Sequence, residues 1–266
     1  MSPPAPRIAS LVPSLTELVV ALGLAPCLVA RTGFCVHPSD VVRTIPKVGG
    51  TKDVNLAKLR RLAPTHVLVN VDENRRDTVQ ALLDWPSAER PELIVTHPCA
   101  PIDNLALIDQ LQAAFGRVEG VTGRAAALRD ELGQELALCR PEDFPVQAVL
   151  YLIWRDPWMT VARDTYISRM LALVNWHTLP ACEGGAQGAA RYPVVQGDEP
   201  WLAGVQQVLL SSEPYAFGAQ HVEPARALCP QASVQCVDGE LISWYGPRAA
   251  AGLRYLRALA GAAGAG

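Results

Sequence analysis

The sequence has no run of about 18 apolar residues and no cluster of Lys or Arg on one face. The first absence excludes a membrane-spanning helix. The second, together with a formal net charge of −3, argues against binding to nucleic acid. The amino terminus, MSPPAPRIASLV, also lacks the basic start, apolar core and cleavage site of a secretory signal. We therefore expect a cytoplasmic protein as the chain is given, or a periplasmic one if an export signal has been removed.

Cysteine is present, but in a pattern that does not indicate disulfide bonds. The count is odd, the spacing is scattered and no CxxC occurs. We expect most thiols to behave as small buried apolar groups, which fits a reducing compartment. The seven residues are Cys27, Cys35, Cys99, Cys139, Cys182, Cys229 and Cys236.

The common catalytic signatures are absent as well. We find no GxSxG, HExxH, phosphate-binding loop or dinucleotide fingerprint. Ser211-Ser212-Glu213 could suggest a nucleophile beside an acid, but serines at the end of a strand more often cap or turn the chain. We predict a protein that is not an enzyme and has no built-in cofactor.

What the sequence does contain is a long helical stretch near its middle, GVTGRAAALRDELGQELALCR, from Gly120 to Arg140. Its residue types favour a helix, and Thr122 and Pro141 are suitable for its start and end. Apolar residues recur at helical spacing along one stripe. The predicted stripe is Ala127, Leu128, Leu132, Leu136 and Cys139.

Alternating strand and helix signals lie on both sides of this helix. We predict an α/β fold: two α/β lobes with central, mainly parallel sheets, joined by one long backbone helix. The expected division is 1–116 for the first lobe, 117–142 for the linking helix and 143–266 for the second lobe. HVLVN-VDEN in the first lobe and QVLLS-SEPY in the second are strands that run into acidic loops. Because ligands bind beyond the carboxyl ends of parallel strands, we expect these loops to line a cleft between the lobes.

Several segments carry a resemblance to a known family. RIASLVPSLTELVVALGL and PKVGGTKDVNLAKLRRLAPTHVLV resemble the amino lobe of the helical-backbone, or class III, substrate-binding proteins of ABC importers for cobalamin and ferric siderophores. YLIWRDPWMTVARDTYISRML and the pair Tyr192-Pro193 resemble the second lobe. The resemblance covers essentially the whole chain. It implies a class III periplasmic-binding-protein-like fold and a metal chelate as ligand.

Several contact positions are implied by the resemblance to the cobalamin-binding members. They are Phe34, Cys35, Thr51, Trp154, Trp158, Tyr192 and the stretch from Glu240 to Trp244. The chain departs from the family pattern at Thr51, where those proteins have a tryptophan. It departs again at Ala57, which takes the place of the first of two acidic residues that dock on the permease. Asp198 or Glu199 is a candidate for the second.

Aromatic and cationic residues are interleaved in the predicted loops of the second lobe. Flat indole and phenol rings can stack on a corrin edge or an aromatic siderophore, and guanidinium groups pair with carboxylate, phosphate or catecholate oxygens. Some of the tryptophans could instead fill the core beneath the loops, and Arg163-Asp164 could be a simple ion pair. The candidates, with the neighbouring Glu213, are Trp154, Arg155, Trp158, Arg163, Arg191, Tyr192, Tyr215, Trp244, Tyr245 and Arg248.

The acidic loop Asp72-Glu73-Asn74-Arg75 follows a strand of the first lobe. The carboxylates of Asp72 and Glu73 could bind a cationic or amide-rich ligand. Equally, Asp72 or Asn74 could cap the next helix.

Four other residues could form a metal site. Cys35 and His37, like His97 and Cys99, are separated by one residue, so in extended chain each pair points to the same side. Such ligands suit zinc, or cobalt at a corrin centre. Ordinary loop packing is the alternative, since the spacing matches no known zinc motif.

We therefore expect a monomeric substrate-binding protein that captures a corrinoid (cobalamin-like) or iron-siderophore chelate, with an ABC permease as its possible partner. The alternative hypothesis is a cytosolic metal- or corrinoid-handling protein or enzyme on the same scaffold, without a transporter partner.

Overall fold

The structure, a computed structural model, describes residues 4–263. Residues 1–3 of the predicted first lobe and residues 264–266 of the predicted second lobe lie outside the described residues. Within residues 4–263, the chain divides into two units by its internal contacts. Unit 1 consists of residues 4–98, 104–131 and 245–247, and unit 2 of residues 99–103, 132–244 and 248–263.

Unit 1 is built on a four-stranded sheet in which every neighbouring pair is parallel. The strand order is β2-β1-β3-β4, so the first strand lies inside the sheet and the second at its edge. In chain order, the elements are β1 (Ile8–Ser10), α1 (Pro13–Ala21), β2 (Leu28–Arg31), α2 (Ser39–Val42), α3 (Leu56–Arg61), β3 (His66–Asn70), α4 (Arg76–Leu83), β4 (Glu92–Thr96) and α5 (Asp103–Phe115).

The long helix follows as α6 (Val121–Leu138), 18 residues. Unit 2 repeats the sheet plan of unit 1, because its order is β6-β5-β7-β8 and its pairs are again all parallel. The remaining elements are β5 (Gln147–Leu152), α7 (Tyr166–Ala172), β6 (Trp176–Thr178), β7 (Gln207–Ser211), α8 (Val222–Leu228), β8 (Ser233–Val237), α9 (Gly239–Ser243) and α10 (Arg248–Ala263).

The inner strands are buried along most of their length. All five residues of β7 are buried, as are the last four residues of β3. Parallel strands covered on both faces are nearly continuous apolar runs rather than alternating ones. HVLVN and QVLLS have this character, and the prediction of an α/β fold with parallel sheets is confirmed.

The buried stripe of α6 differs from the predicted one. Val121, Ala125, Leu132 and Cys139 are buried, whereas Ala127 is exposed. The predicted stripe was therefore wrong at Ala127, because in a run of three alanines the sequence gives little contrast between faces. The first part of α6 belongs to unit 1 and the last part, from residue 132, to unit 2. The three-part division at 117 and 142 stays a prediction.

Short elements account for the other differences from the sequence-based expectation. The strand β6 and the helices α2 and α9 were not predicted, since three to five residues carry almost no periodic signal. The sequence Ser14-Leu15-Thr16-Glu17 has the spacing of a capping box, with Ser14 as N-cap, but α1 begins before Ser14. Pro13 is its first residue, preceded by Val12 without a side-chain cap, and proline is well suited to that position.

Within residues 4–263, no helix combines the length and the apolar character that crossing a bilayer requires.

The buried strands give a stability prediction. We expect Leu210→Ala in β7 to lower the free energy of unfolding by about 2–5 kcal/mol, because it leaves a cavity in a close-packed core. Leu138→Ala is the matched control, since Leu138 is 51% exposed at the end of α6 and its truncation should change stability by no more than about 0.5 kcal/mol. Urea unfolding followed by circular dichroism measures both, and equal losses would contradict the assignment of β7 to the core.

Candidate functional site

The strand order marks one special place in each sheet. In unit 1, β2 lies on one side of β1 and β3 lies on the other side. In unit 2, β6 and β7 lie on opposite sides of β5 in the same way. The loops that leave β1 and β3, or β5 and β7, therefore run in opposite directions and leave a crevice at the carboxyl ends of the strands. Ligands of open parallel sheets bind at this switch point. About half of the predicted ligand-binding residues lie in the loops after β3, β5 and β7, namely Asp72, Glu73, Trp154, Arg155, Trp158, Arg163, Glu213 and Tyr215.

In unit 1, two asparagines shape the loop after β3. The side-chain oxygen of Asn70 accepts hydrogen bonds from the backbone N–H groups of Asp72, at 2.8 Å, and Glu73, at 3.3 Å. Asn74 donates from Nδ2 to the carbonyl oxygens of Leu11, at 3.2 Å, and Thr51, at 3.0 Å. Asn74 thus ties the loop after β1 to the loop after β3.

The helix-capping interpretation of this acidic loop is wrong. The N-cap position of α4 is occupied by Arg75, whose side chain makes no capping hydrogen bond. Asn74 uses its amide to join loops, as described above, and Asp72 lies near His97, with 3.4 Å between Asp72 Oδ2 and His97 Nε2. Lys52 Nζ donates to the backbone oxygen of Asp72 at 2.7 Å.

Glu73 is held by a tyrosine from a distant part of the chain. The Tyr245 hydroxyl donates to Glu73 Oε1 at 2.8 Å, and Tyr245 is buried. Burial, followed by the nearby negative charge of Glu73, raises the pKa of Tyr245 well above its ordinary value. Of the predicted site residues, Asp72, Glu73 and Tyr245 are thus brought together at the switch point of the first sheet.

The proposed cysteine and histidine ligands do not form a metal site. In the described part of the chain, no group of three or more His, Cys, Asp or Glu side chains could hold a metal ion. Cys35 is fully buried, its sulfur lies 3.1 Å from Thr32 Oγ1, and burial raises the pKa of its thiol. A buried thiol that resists ionisation is a poor metal ligand. His37, His97 and Cys99 therefore do not join Cys35 in a common ligand set.

Two predicted contact residues of unit 1 differ in exposure. Phe34, near the start of the loop after β2, is 62% exposed. Thr51 is partly buried, and its backbone oxygen is bonded to Asn74. Phe34 is thus available for an apolar contact, whereas Thr51 serves in part to hold the loops.

In unit 2, the loop after β5 forms a tight turn that presents two tryptophans. The backbone of Met159 donates to Trp154 at 3.1 Å, and that of Ile153 donates to Met159 at 2.9 Å. Asp156 has the positive φ of 61° that the turn needs. Trp154 is 42% exposed and Trp158 is partly buried. The Arg155 guanidinium lies over the Trp158 ring, 5.2 Å from its centroid.

The loop after β7 brings a second group of aromatic rings to the same place. The Tyr215 ring meets the Trp154 ring edge to face, with 5.6 Å between centroids. Phe217 stacks on Trp158 at 6.0 Å and lies 4.6 Å from Tyr215. We call the surface formed by Trp154, Arg155, Trp158 and Tyr215 the aromatic surface of unit 2. It combines flat apolar area, one cation and one phenol.

Four other predicted residues of unit 2 form a separate, mostly internal group. Trp244 is buried and donates from Nε1 to Glu213 Oε2 at 2.9 Å. The Arg248 guanidinium lies 4.6 Å from the centroid of the Trp244 ring and is ion-paired with Glu240. Because its indole is buried and hydrogen-bonded, Trp244 has less surface to offer a ligand than Trp154 has.

The remaining predicted residues of unit 2 are Arg163, Arg191 and Tyr192. Arg163 is exposed and donates from Nε to the carbonyl oxygen of Thr178 at 3.2 Å. Arg191 is buried, donates to the carbonyl oxygen of Gly185 at 2.7 Å and lies 3.8 Å from Asp164. Tyr192 beside it is partly buried. These contacts give Arg191 a structural role in holding the glycine-rich loop.

Solved structures with the same architecture are known. The periplasmic vitamin B12-binding protein BtuF of Vibrio cholerae superposes with a TM-score of 0.80 and 18% identity, covering 98% of each chain. The periplasmic heme-binding protein HutB of Vibrio cholerae gives 0.75 and 23%, covering 96% of this chain and 99% of its own. The periplasmic heme-binding protein RhuT from Roseiflexus sp. RS-1 gives 0.75 and 19%, covering 98% and 100%.

No family profile and no curated protein sequence matches the chain. The similarity to the solved structures nevertheless extends over nearly the full length of both partners. The chain has the class III periplasmic-binding-protein fold. The resemblance inferred from RIASLVPSLTELVVALGL and the segments that follow it is confirmed at the level of fold.

The structure also shows three residues beside the predicted site that the sequence-based interpretation missed. Phe217 and His221 were not among the predicted residues, although both pack against Tyr215. The sequence could have indicated Phe217, because Tyr215 and Phe217 are two residues apart and side chains at that spacing in extended chain point to the same side. Lys52 was also missed, because its contact with the loop after β3 joins residues far apart in sequence.

The buried phenol of Tyr245 predicts a dependence of stability on alkaline pH. An unfolded tyrosine ionises near pH 10, whereas the raised pKa of Tyr245 keeps it protonated in the folded state. Its contribution is complete below about pH 10 and is lost as the pH rises further, by about 1.4 kcal/mol per pH unit. In Tyr245→Phe, the free energy of unfolding should therefore fall less steeply than in the wild type.

Urea titrations at several pH values between 8 and 12 measure this difference. Tyr151→Phe is a positive control, because Tyr151 is fully buried and its pKa is also raised, chiefly by burial. A Tyr245→Phe variant with the same alkaline slope as the wild type would contradict the assignment.

Proposed function

We propose that this chain is a substrate-binding protein that captures a corrinoid or iron-siderophore chelate. The observation that carries the proposal is the aromatic surface of unit 2, which lies at the switch point of an all-parallel sheet. Ligand sites are mostly apolar with a few fixed polar groups, and this surface has that composition. The names of the similar proteins, which specify vitamin B12 or heme, support a metal chelate as the ligand class.

The chemistry of such chelates matches the exposed groups. A corrin or porphyrin has a wide apolar face and carries oxygen atoms on its side chains, and siderophores add catecholate or hydroxamate oxygens. Trp154 offers an exposed ring for the apolar face. Arg155, held over Trp158, places a positive charge beside it, suited to carboxylate or catecholate oxygens.

In this proposal the protein delivers its ligand to an ABC permease, because one similar structure is that of an ABC transporter substrate-binding protein from Listeria monocytogenes. Glu199 is poorly suited to docking, because its carboxylate accepts the backbone N–H groups of Gln196, at 2.7 Å, and Gly197, at 2.8 Å. Burial acts to raise the pKa of Glu199, but these hydrogen bonds outweigh it, so the pKa is lowered overall. Asp198 is exposed and is the better candidate for a permease contact.

A second candidate function is a chelate-handling protein or enzyme that works without a permease. It is favoured by one observation: Ala57 is exposed on α3 at the position where the importer proteins resembled by this sequence have an acidic docking residue. A binding protein returns its chelate unaltered. Mass spectrometry of the recovered ligand therefore tests the enzyme form of this alternative, since an enzyme would yield a modified or demetallated product.

The aromatic surface predicts the effect of removing Trp154. We expect Trp154→Ala to weaken binding of the preferred chelate about 2- to 13-fold, because one aromatic stacking contact contributes about 0.5–1.5 kcal/mol. Isothermal titration calorimetry with cyanocobalamin, a ferric catecholate, a ferric hydroxamate and hemin measures affinity, and tryptophan fluorescence reports the contact. Trp154→Phe should retain most of the affinity.

Trp201→Phe is the control for this experiment. Trp201 lies in the turn Pro200–Gly204, which precedes β7 and is therefore at the amino end of that strand. If Trp154→Ala binds as tightly as Trp201→Phe, the aromatic surface is not the binding surface. If the wild type binds none of the four probes, the proposed ligand class is wrong.

A further inference from the structure

The side chain of His221 has a defined protonation pattern. His221 is 5% exposed and ends the turn Ala219–His221 before α8. Its Nδ1 accepts a hydrogen bond from the backbone N–H of Gly218 at 3.0 Å. A ring nitrogen that accepts a hydrogen bond carries no proton, so the neutral imidazole must carry its hydrogen on Nε2.

This hydrogen fixes the role of Tyr215. His221 Nε2 lies 3.2 Å from the Tyr215 hydroxyl oxygen, so Nε2–H donates and the phenol oxygen accepts. Among residues 4–263, His221 is the group that hydrogen-bonds this hydroxyl. The hydrogen of Tyr215 is therefore not used by His221, and it remains for an acceptor outside the protein.

The Tyr215 ring is also held in place on several sides. Its backbone N–H donates to the carbonyl oxygen of Ile153 at 3.3 Å, which attaches the loop to the end of β5. Phe217 and His221 pack against the ring at 4.6 and 5.3 Å. A donor fixed in this way loses little conformational freedom when it binds a ligand.

We propose that Tyr215 is the hydrogen-bond donor of the aromatic surface and recognises an oxygen acceptor on the ligand. His221 is a positioning residue that orients the phenol by occupying its oxygen. The inference rests on the proposed function, and it adds a requirement on the ligand: an oxygen acceptor within reach of an apolar face that contacts Trp154. Amide carbonyls of a corrin and carboxylates of a porphyrin both satisfy this requirement.

The tautomer of His221 is tested without any ligand. Long-range ¹H–¹⁵N NMR of the ligand-free protein should show His221 as the neutral Nε2–H form, with its signals assigned by their loss in His221→Gln. An Nδ1–H tautomer, or a doubly protonated ring at pH 7.5, would overturn the inference even if the protein binds a chelate.

The role of Tyr215 is tested by Tyr215→Phe, with cyanocobalamin and hemin as separate probes. We expect roughly a 3- to 10-fold loss of affinity if the acceptor is an amide carbonyl, and roughly a 10- to 100-fold loss if it is a carboxylate. The matched control is Tyr255→Phe, whose hydroxyl oxygen accepts the backbone N–H of Asp238 at 3.1 Å; it should bind like the wild type. His221→Gln supplies an N–H in place of the imidazole and should preserve affinity better than His221→Ala.

The outcomes separate this inference from the proposed function. If the wild type binds a probe and Tyr215→Phe binds it equally well, the inference alone is wrong. A visible charge-transfer band of the complex that disappears in Tyr215→Phe would show the phenol bound to the metal, and would also overturn it. If the wild type binds neither probe nor a ferric siderophore, the proposed function fails and the inference fails with it.

Discussion

The constraint on which the site depends is that every strand in both sheets is parallel to its neighbours. Parallel sheets are covered on both faces, so their strands are apolar throughout and polar chemistry is displaced to the strand ends. In each sheet the first strand is internal, and its two neighbours are reached in opposite directions. The loops after β1 and β3, and those after β5 and β7, are therefore the places where one protein of this fold can differ from another.

The two switch points have taken different chemical characters. At the first, the carboxylates already have partners within their own unit, since Tyr245 donates to Glu73 and His97 lies beside Asp72. At the second, rings dominate, and Trp154 and Tyr215 keep part of their surface exposed. The polar group of unit 1 is thus largely committed to holding its loops, which leaves the aromatic surface of unit 2 as the stronger candidate for ligand contact.

Long apolar signals allowed much of the fold to be predicted from sequence. The bounds of β3, β8 and α5 follow directly from HVLVN, SVQCV and the amphipathic run that begins at Asp103. The site was harder to predict, because Trp154 and Trp244 both lie in loops and only packing distinguishes them. Trp244 is buried with its indole bonded to Glu213, whereas Trp154 begins a turn that leaves its ring partly in solvent. Such contacts join residues about 30 to 60 positions apart, and no local pattern records them.

Fold similarity leaves the ligand open, since solved structures of this fold carry names that specify vitamin B12 in one case and heme in others. Discrimination must therefore come from side chains on the strand-end loops. An aromatic ring contributes affinity for any flat apolar face and distinguishes poorly between them. A fixed hydrogen-bond donor is more selective, because a ligand that lacks the acceptor leaves the donor desolvated and unpaired. By that reasoning, the proposed site at the second sheet would owe its specificity less to its tryptophans than to Tyr215, whose hydroxyl is bonded to the buried His221.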